Sequence, residues 1–440
     1  ANQYDTERMR QELEALGARS VGDIEEAELC VLNTCTVTNQ ADADARRFIR
    51  RARRDNPEVK VVVAGCSSAL DPQTYREMDG VLAVVEGHDP VEVARAAVVG
   101  PGEQGCHPSE GGLGSVPLVH LDGKPPARLM VQEPAGGELL RRREGGARGW
   151  LKIQDGCDRK CSFCATRLAR GASRSRIHEE IVAEARLMAE AHPELVLTGI
   201  HIGHYGRDLE SGVTLSGLVA VLLDQVPDVR FRLGSVEATE VDDFLLELLQ
   251  GSGGRLAPHL HMPLQSGSDQ VLRRMRRWHN REAYRARAME IGARFSVLGL
   301  GADVITGFPG ETARDHDLTL RLVEELPFTY LHVFPFSPRK NTVAAELPDP
   351  VPQRIAGERS RELRELALVK GQEYRAGRIG QEAHVVLEGA GGWALTEDYL
   401  RVASKPGGVE GPGSRPTVLS GTLQGTEEHL YIDLSRPSSN

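Results

Sequence analysis

The sequence predicts an α/β protein in three parts: an N-terminal open parallel-sheet domain, a central partial (β/α)6 barrel and a small C-terminal β-barrel. Three observations lead there. Helical and strand-like periodicities alternate over residues 1–99 and, at greater length, over 149–348, the mark of parallel sheets covered by helices. From residue 380 the pattern changes to short strands separated by turn residues, as in a small closed barrel. A chain of 440 residues has room for about three such domains.

In the first part, residues 5–16 and 41–54 read as helices, and 28–33, 60–64 and 80–85 as strands. Cys35 (in Asn33-Thr34-Cys35-Thr36) and Cys66 (in Ala64-Gly65-Cys66) each follow a strand. The carboxyl edge of a parallel sheet is where open α/β folds bind ligands, so these two are expected to share a site. Cys30 falls inside a strand and reads as a core residue, since free cysteine is among the most buried residue types. Residues 100–148 read as a linker or insertion, Gly- and Pro-rich over 100–126, and Cys106 within it carries no motif.

Barrel strands are expected at 151–154, 195–199, 230–235, 259–263, 300–306 and 330–335. Helices are expected at 177–191, 214–226, 241–249, 269–278, 281–295 and 312–326. Six strand–helix units of this kind place their chemistry at the carboxyl ends of the strands. Residues 349–379 read as a helical connector, and 380–437 as the β-barrel, with strands at 382–388, 399–403, 416–424 and 429–434.

Composition narrows the setting. Hydrophobic content of 40% and charged content of 26% are ordinary for a globular protein, and no apolar run approaches the roughly 20 residues of a membrane span. Seven cysteines, clustered and odd in number, argue against a disulfide framework and for a reducing compartment, the cytoplasm by default. A net charge of −10 does not advertise nucleic-acid binding. Arginine clusters do occur at 46–54, 141–143 and 273–277. Such clusters suit phosphates and equally suit a solvated helix face.

The most informative stretch is Gly156-Cys157-Asp158-Arg159-Lys160-Cys161-Ser162-Phe163-Cys164, a C-x3-C-x2-C loop after the first barrel strand. A structural zinc site wants four closed ligands. Here there are three thiolates with no second pair nearby. A cubane iron–sulfur cluster normally takes four thiolates, so three would leave one iron open to an outside ligand. An open iron serves a reaction.

With Phe163 before the last cysteine, the loop resembles the signature of the radical S-adenosylmethionine (SAM) enzymes. Its flanks, Trp150-Leu151-Lys152-Ile153 and Ala169-Arg170-Gly171-Ala172-Ser173-Arg174-Ser175-Arg176, resemble the methylthiotransferase branch. So do Leu197-Thr198-Gly199-Ile200-His201, Ser235-Val236-Glu237, His261-Met262-Pro263-Leu264-Gln265-Ser266-Gly267-Ser268 and Ile305-Thr306-Gly307-Phe308-Pro309-Gly310. Thr396-Glu397-Asp398-Tyr399-Leu400 is similar to the RNA-binding TRAM β-module of that family.

The resemblance implies two 4Fe–4S clusters and SAM. Cys157, Cys161 and Cys164 would hold the radical cluster, and Cys35 and Cys66 two corners of an auxiliary one. The family's first auxiliary cysteine would fall two residues ahead of Ala1. A sequence clipped at its start is therefore expected, the other reading being an auxiliary cluster lacking that ligand. Phe163, Thr198, Glu237, Gln265 and Gly307 are expected around SAM, with Gly307 and Gly310 allowing close backbone approach to it. Glu237 and Gln265 could instead cap the elements that follow. His201 and His204, three residues apart without a partner carboxylate, read as pocket lining or satisfied surface groups.

Reductive cleavage of SAM would give a 5′-deoxyadenosyl radical, and a methylthio group would then be joined to a substrate carbon. Residues 34–42 and 198–206 resemble the bacterial subgroup that acts on C2 of N6-threonylcarbamoyladenosine in tRNA, beside the anticodon. Sister subgroups act on isopentenyladenosine in tRNA or on an aspartate of a ribosomal protein. The implied partners are a tRNA anticodon stem-loop and a reductase or flavodoxin-type electron donor, with neither a membrane nor DNA. The alternative of another class is an RNA-binding protein that keeps a structural cluster without catalysing.

Overall fold

The computed structural model describes residues 1–99, 140, 146–210, 212–388, 392–404 and 417–434. Cys106, the Gly/Pro-rich stretch at 100–126 and Arg141 to Arg143 lie outside them. The chain divides into two compact units. One comprises Ala1–Leu140 with Cys164–Ala172 and Pro338–Asn341; the other holds the remainder.

The smaller unit is a three-stranded parallel sheet, β1 (Leu29–Thr34), β2 (Lys60–Gly65) and β3 (Val81–Val84), in that order. Its helices are α1 (Asn2–Ala15), α2 (Asn39–Asp55), α3 (Cys66–Leu70), α4 (Pro72–Arg76), α5 (Pro90–Val99) and α6 (Thr166–Arg170). β2 is central and reads Val-Val-Val-Ala, buried throughout, because a parallel strand covered on both faces has no solvent side. α2 starts where the Thr38 hydroxyl accepts from the Ala41 amide, and it buries Ala45, Ile49 and Ala52 on one stripe. Cys30 packs with Ile49, Val61 and Tyr75, as its place in the strand predicts.

The larger unit opens with β4 (Arg148–Lys152) and a two-residue ladder, β5 (Gln154–Asp155) with β6 (Arg174–Ser175). Then α7 (His178–Ala189), β7 (Glu194–Thr198), α8 (Leu215–Gln225), β8 (Arg230–Leu233), α9 (Asp243–Gly251), β9 (His259–His261), α10 (Asp269–Arg274) and α11 (Arg281–Arg294) follow. β10 (Gly299–Thr306), α12 (Ala313–Glu325) and β11 (Tyr330–Pro335) complete the alternation. The six long-range strands pair in parallel as β4-β7-β8 and β9-β10-β11. A parallel bridge between Ser235 and His261 joins the two sets into a partial barrel. α12 begins in a reciprocal capping box between Thr312 and Asp315.

The connector is α13 (Gln353–Arg378), and beyond it comes a closed five-stranded barrel. Its strands are β12 (Glu382–Glu388), β13 (Trp393–Thr396), β14 (Arg401–Ser404), β15 (Leu419–Gly425) and β16 (Leu430–Leu434). β13 was not expected, and the strand expected at 399–403 starts later. Tyr399 sits at φ +72°, so residues 396–400 make a turn between β13 and β14 rather than extended chain. The floor of the partial barrel is tied to this turn. Glu194, fully buried, accepts from Arg230 Nε at 2.6 Å and from Arg232 Nε at 2.8 Å. Arg232 donates onward to the carbonyls of Glu397 and Thr396, both at 2.9 Å.

Candidate active site

The cysteine loop is held by its middle. Ser162 donates its amide to the Met275 carbonyl at 3.0 Å and its hydroxyl to the Arg274 carbonyl at 2.8 Å. Its own carbonyl accepts from the Ala344 amide at 2.8 Å. Phe163 turns inward to an apolar cluster with Val271, Met275, Phe308 and Ala344, meeting Phe308 edge-on at 6.4 Å. The aromatic residue of the motif thus anchors the loop from below. Cys157, Cys161 and Cys164 are half-buried and outside any disulfide.

Two sulfurs have side-chain nitrogens beside them. His201 Nδ1 lies 3.5 Å from Cys157 Sγ, and Arg277 Nη1 donates to Cys161 Sγ at 3.7 Å. Glu240 sits behind His201, accepting at 2.9 Å, with His204 at 3.1 Å and Arg159 at 3.2 Å on the same carboxylate. Burial would raise that carboxyl, but the two imidazoles outweigh it and hold it low. His201, His204 and Glu240 offer ligand atoms within 4.8 Å of one another. The two histidines are therefore buried and do have a carboxylate partner, contrary to the expectation for them. Glu240 stands 39 residues beyond His201, too far for local spacing to reveal it.

Glu237 precedes a single 3-10 turn at Ala238–Glu240 but makes no side-chain cap. Its carboxylate meets Arg277 at 2.5 Å, both groups being nearly buried. Desolvation pushes Glu237 up, and Arg277 opposes the shift. Trp278 lies between two guanidinium groups, Arg159 at 3.9 Å and Arg277 at 4.1 Å from its ring. Part of the 273–277 arginine cluster is thus built into the site rather than solvated. Gln265 occupies φ +68°, rare for a residue with a side chain. Its Oε1 is buried with no hydrogen-bond partner among the described residues. A polar ligand in front of the loop would meet that need, so the site fits a group such as SAM. Thr198 ends β7, buried, its carbonyl accepting from Ile153.

Gly307 and Gly310 both sit close against neighbouring protein atoms. A Cβ on Gly307 would lie 2.4 Å from Ala356 of α13, and one on Gly310 would strike the Arg274 guanidinium. The Gly307 amide is taken by Glu311 at 2.6 Å. In the direction of a side chain, the close approach these glycines permit is to the protein itself.

In the smaller unit, Cys35 follows β1 and Cys66 opens α3. Gly65 before it sits at φ +103°, where a Cβ would lie 2.4 Å from the Thr34 carbonyl oxygen. Arg170 on α6 donates to Cys66 Sγ at 3.2 Å and pairs with the buried Asp5 at 2.7 Å. Burial pushes the Cys66 thiol up, Arg170 pulls against it, and Cys35 is near enough to add to the rise. Sequence reasoning missed Arg170 and Asp5, which no spacing rule connects.

A partial parallel barrel with a three-cysteine loop at its strand ends defines a radical SAM protein, whose chemistry uses iron–sulfur and SAM cofactors. Residues 151–323 match the model of the radical SAM superfamily, and residues 1–87 that of the uncharacterized protein family UPF0004. The threonylcarbamoyladenosine tRNA methylthiotransferase MtaB of Rickettsia prowazekii is 32% identical over 413 residues, covering 91% of this chain and 88% of that one. Its namesake in Bacillus subtilis is 34% identical over 391 residues, covering 88% and 83%. Among solved structures, the radical SAM methyltransferase TsrM of Kitasatospora setae shares the fold. Its TM-score is 0.50 at 17% identity, over 77% of this chain and 68% of that one. The chain belongs to the radical SAM methylthiotransferase family.

Proposed function

We propose that this protein is a tRNA methylthiotransferase that adds a methylthio group to C2 of N6-threonylcarbamoyladenosine beside the anticodon. The observation that carries the reading is the three-cysteine loop at the barrel's strand ends, with side-chain nitrogens beside the sulfurs of Cys157 and Cys161. Likeness along nearly the whole chain to enzymes named for that substrate supports it. Cys157, Cys161 and Cys164 would hold one 4Fe–4S cluster, and Cys35 and Cys66 would contribute to a second. Bound there with SAM, such a cluster supplies one-electron cleavage of the sulfonium and so activates an inert C–H bond.

The chain's own residues do the rest. Ser162 and Phe163 fix the loop. Arg277 and His201 place positive or polar groups against the sulfurs, and Gln265 keeps an acceptor for the cofactor. The C-terminal β-barrel and the exposed arginines of α2 suit an anticodon stem-loop, whose unpaired bases can be splayed into a pocket. A flavodoxin-type reductase in the cytoplasm would be the electron donor. No helix among the described residues is long and apolar enough to cross a membrane.

The test is anaerobic reconstitution with iron and sulfide, then SAM, a reductant and tRNA. The expected results are 5′-deoxyadenosine and, by mass spectrometry of nucleosides, the 2-methylthio form of threonylcarbamoyladenosine. Cys161→Ala should yield neither. Release of 5′-deoxyadenosine by Cys161→Ala at the parental rate would overturn the cluster assignment. A 2-methylthio product on isopentenyladenosine alone would overturn the substrate.

A further inference from the structure

One face of the β9–β10–β11 sheet carries a polar cluster that the reading so far does not use. Register puts His261 beside Gly301, Asp303 beside His332 and Ile305 beside Phe334. Alternate residues of a strand share a face. Asp303 Oδ1 receives both His261 Nε2 at 3.1 Å and His332 Nδ1 at 3.3 Å. Behind them, Tyr330 Oη lies 3.0 Å from His261 Nδ1. The rings of His261 and His332 are 5.1 Å apart, and Phe334 follows His332 at 6.4 Å.

Three features mark this face as built for a ligand. The His332 side chain is 51% exposed and that of Asp303 26%, so a carboxylate with two imidazoles is left open on one side. Both bonds fall on Oδ1, and among the described residues no hydrogen bond reaches Oδ2. Phe334 is itself 39% exposed, an aromatic surface on the last strand of the sheet, where a base can stack. The same face also leads to the chemistry. Ile305, two residues beyond Asp303 and so roughly 7 Å further along the strand, packs into the same apolar cluster of Val271, Met275, Phe308 and Ala344 that seats Phe163 of the cysteine loop.

We infer that this face receives the modified adenosine: Phe334 stacks on the base, and Asp303 with His332 reads the polar substituent on N6. The inference rests on the tRNA reading above and names the side chains that choose the substrate. An N6-carbamoyl amino acid offers N–H and O–H donors to Oδ2 of Asp303, and carbonyl and carboxylate acceptors to the His332 ring. An isopentenyl group offers neither and would leave the carboxylate unpaired under the ligand. Sites that hydrogen-bond a substrate group reject analogues lacking it far more strongly than apolar pockets reject a missing methylene.

The test is fluorescence anisotropy with anticodon stem-loops carrying N6-threonylcarbamoyladenosine, isopentenyladenosine or plain adenosine at one position. The native chain should prefer the first by roughly 10-fold or more, the worth of one or two charge-assisted hydrogen bonds. His332→Phe keeps the ring and removes the nitrogens, and should shrink that preference to about 2-fold or less. Asp303→Asn, read in the same way, covers the case of a His332 variant that does not fold. Phe334→Ala should weaken all three loops by about 10-fold and leave the preference intact. A full preference retained by both His332→Phe and Asp303→Asn would overturn the inference. Absence of any preference in the native chain would overturn the tRNA reading instead.

Discussion

Replacing Glu194 by glutamine removes the one carboxylate between two buried arginines while keeping its shape. Burial by itself would raise Glu194, but Arg232 and Arg230 outweigh it and bring the carboxyl down to about 2. Against an ordinary value near 4.5, that depression corresponds to about 3 kcal/mol of stability at neutral pH. The figure agrees with the roughly 3–5 kcal/mol lost when one partner of a buried ion pair is removed. Because the folded-state value is depressed, the contribution is complete well above pH 5 and is lost as pH falls toward 2. At pH 4 the gap between native and Glu194→Gln should already have shrunk by roughly 1 kcal/mol.

The same arginines donate to the carbonyls of Thr396, Glu397 and His384, so the loss should appear locally. Hydrogen-exchange mass spectrometry at pH 7 should show amides of β13 and the 396–400 turn exchanging roughly 100-fold faster in the variant. If exchange there is unchanged, or if the difference in stability is as large at pH 4 as at pH 7, the ion cluster does not hold the two barrels together in the way described.

Arg170→Met should remove the buried guanidinium that pairs with Asp5 and cost about 3–5 kcal/mol in the smaller unit. It should also move alkylation of Cys66 in cluster-free protein to higher pH, since the guanidinium now opposes the effect of burial on that thiol; a midpoint that does not rise would refute the pairing. Gly65→Ala forces a Cβ against the Thr34 carbonyl at a positive φ, which should lower the melting temperature by an amount equivalent to about 1–3 kcal/mol. An unchanged melting temperature would show that the turn relaxes freely.

Much of this was legible in the sequence because it is periodic or local. The six barrel strands, the helices between them and the cysteine loop follow from alternation and spacing over a few residues, and the structure places them within a few residues of expectation. What stayed hidden is non-local. Glu240 behind His201, Arg277 on Cys161 and Arg170 on Cys66 are each supplied by an element distant in sequence, and a helix of arginines looks alike whether it faces water or a thiolate. Gly307 shows the same limit. A positive φ announces that something comes close, but not that one such neighbour is Ala356 of a distant helix. β13 was missed because a four-residue strand beginning with Trp393 has too few alternations to register.

Asp398 receives Arg378 Nε at 2.9 Å and Tyr374 Oη at 2.7 Å from α13, and its carbonyl sits where a side chain on Gly299 would have to go. The last module is therefore no tethered arm swinging free; its turn is the plug of the partial barrel. Cutting the chain back to residue 379 would do more than remove an appended module. Glu194, Arg230 and Arg232 would face water at the bottom of an opened funnel, and catalysis on even a free nucleoside should suffer with them.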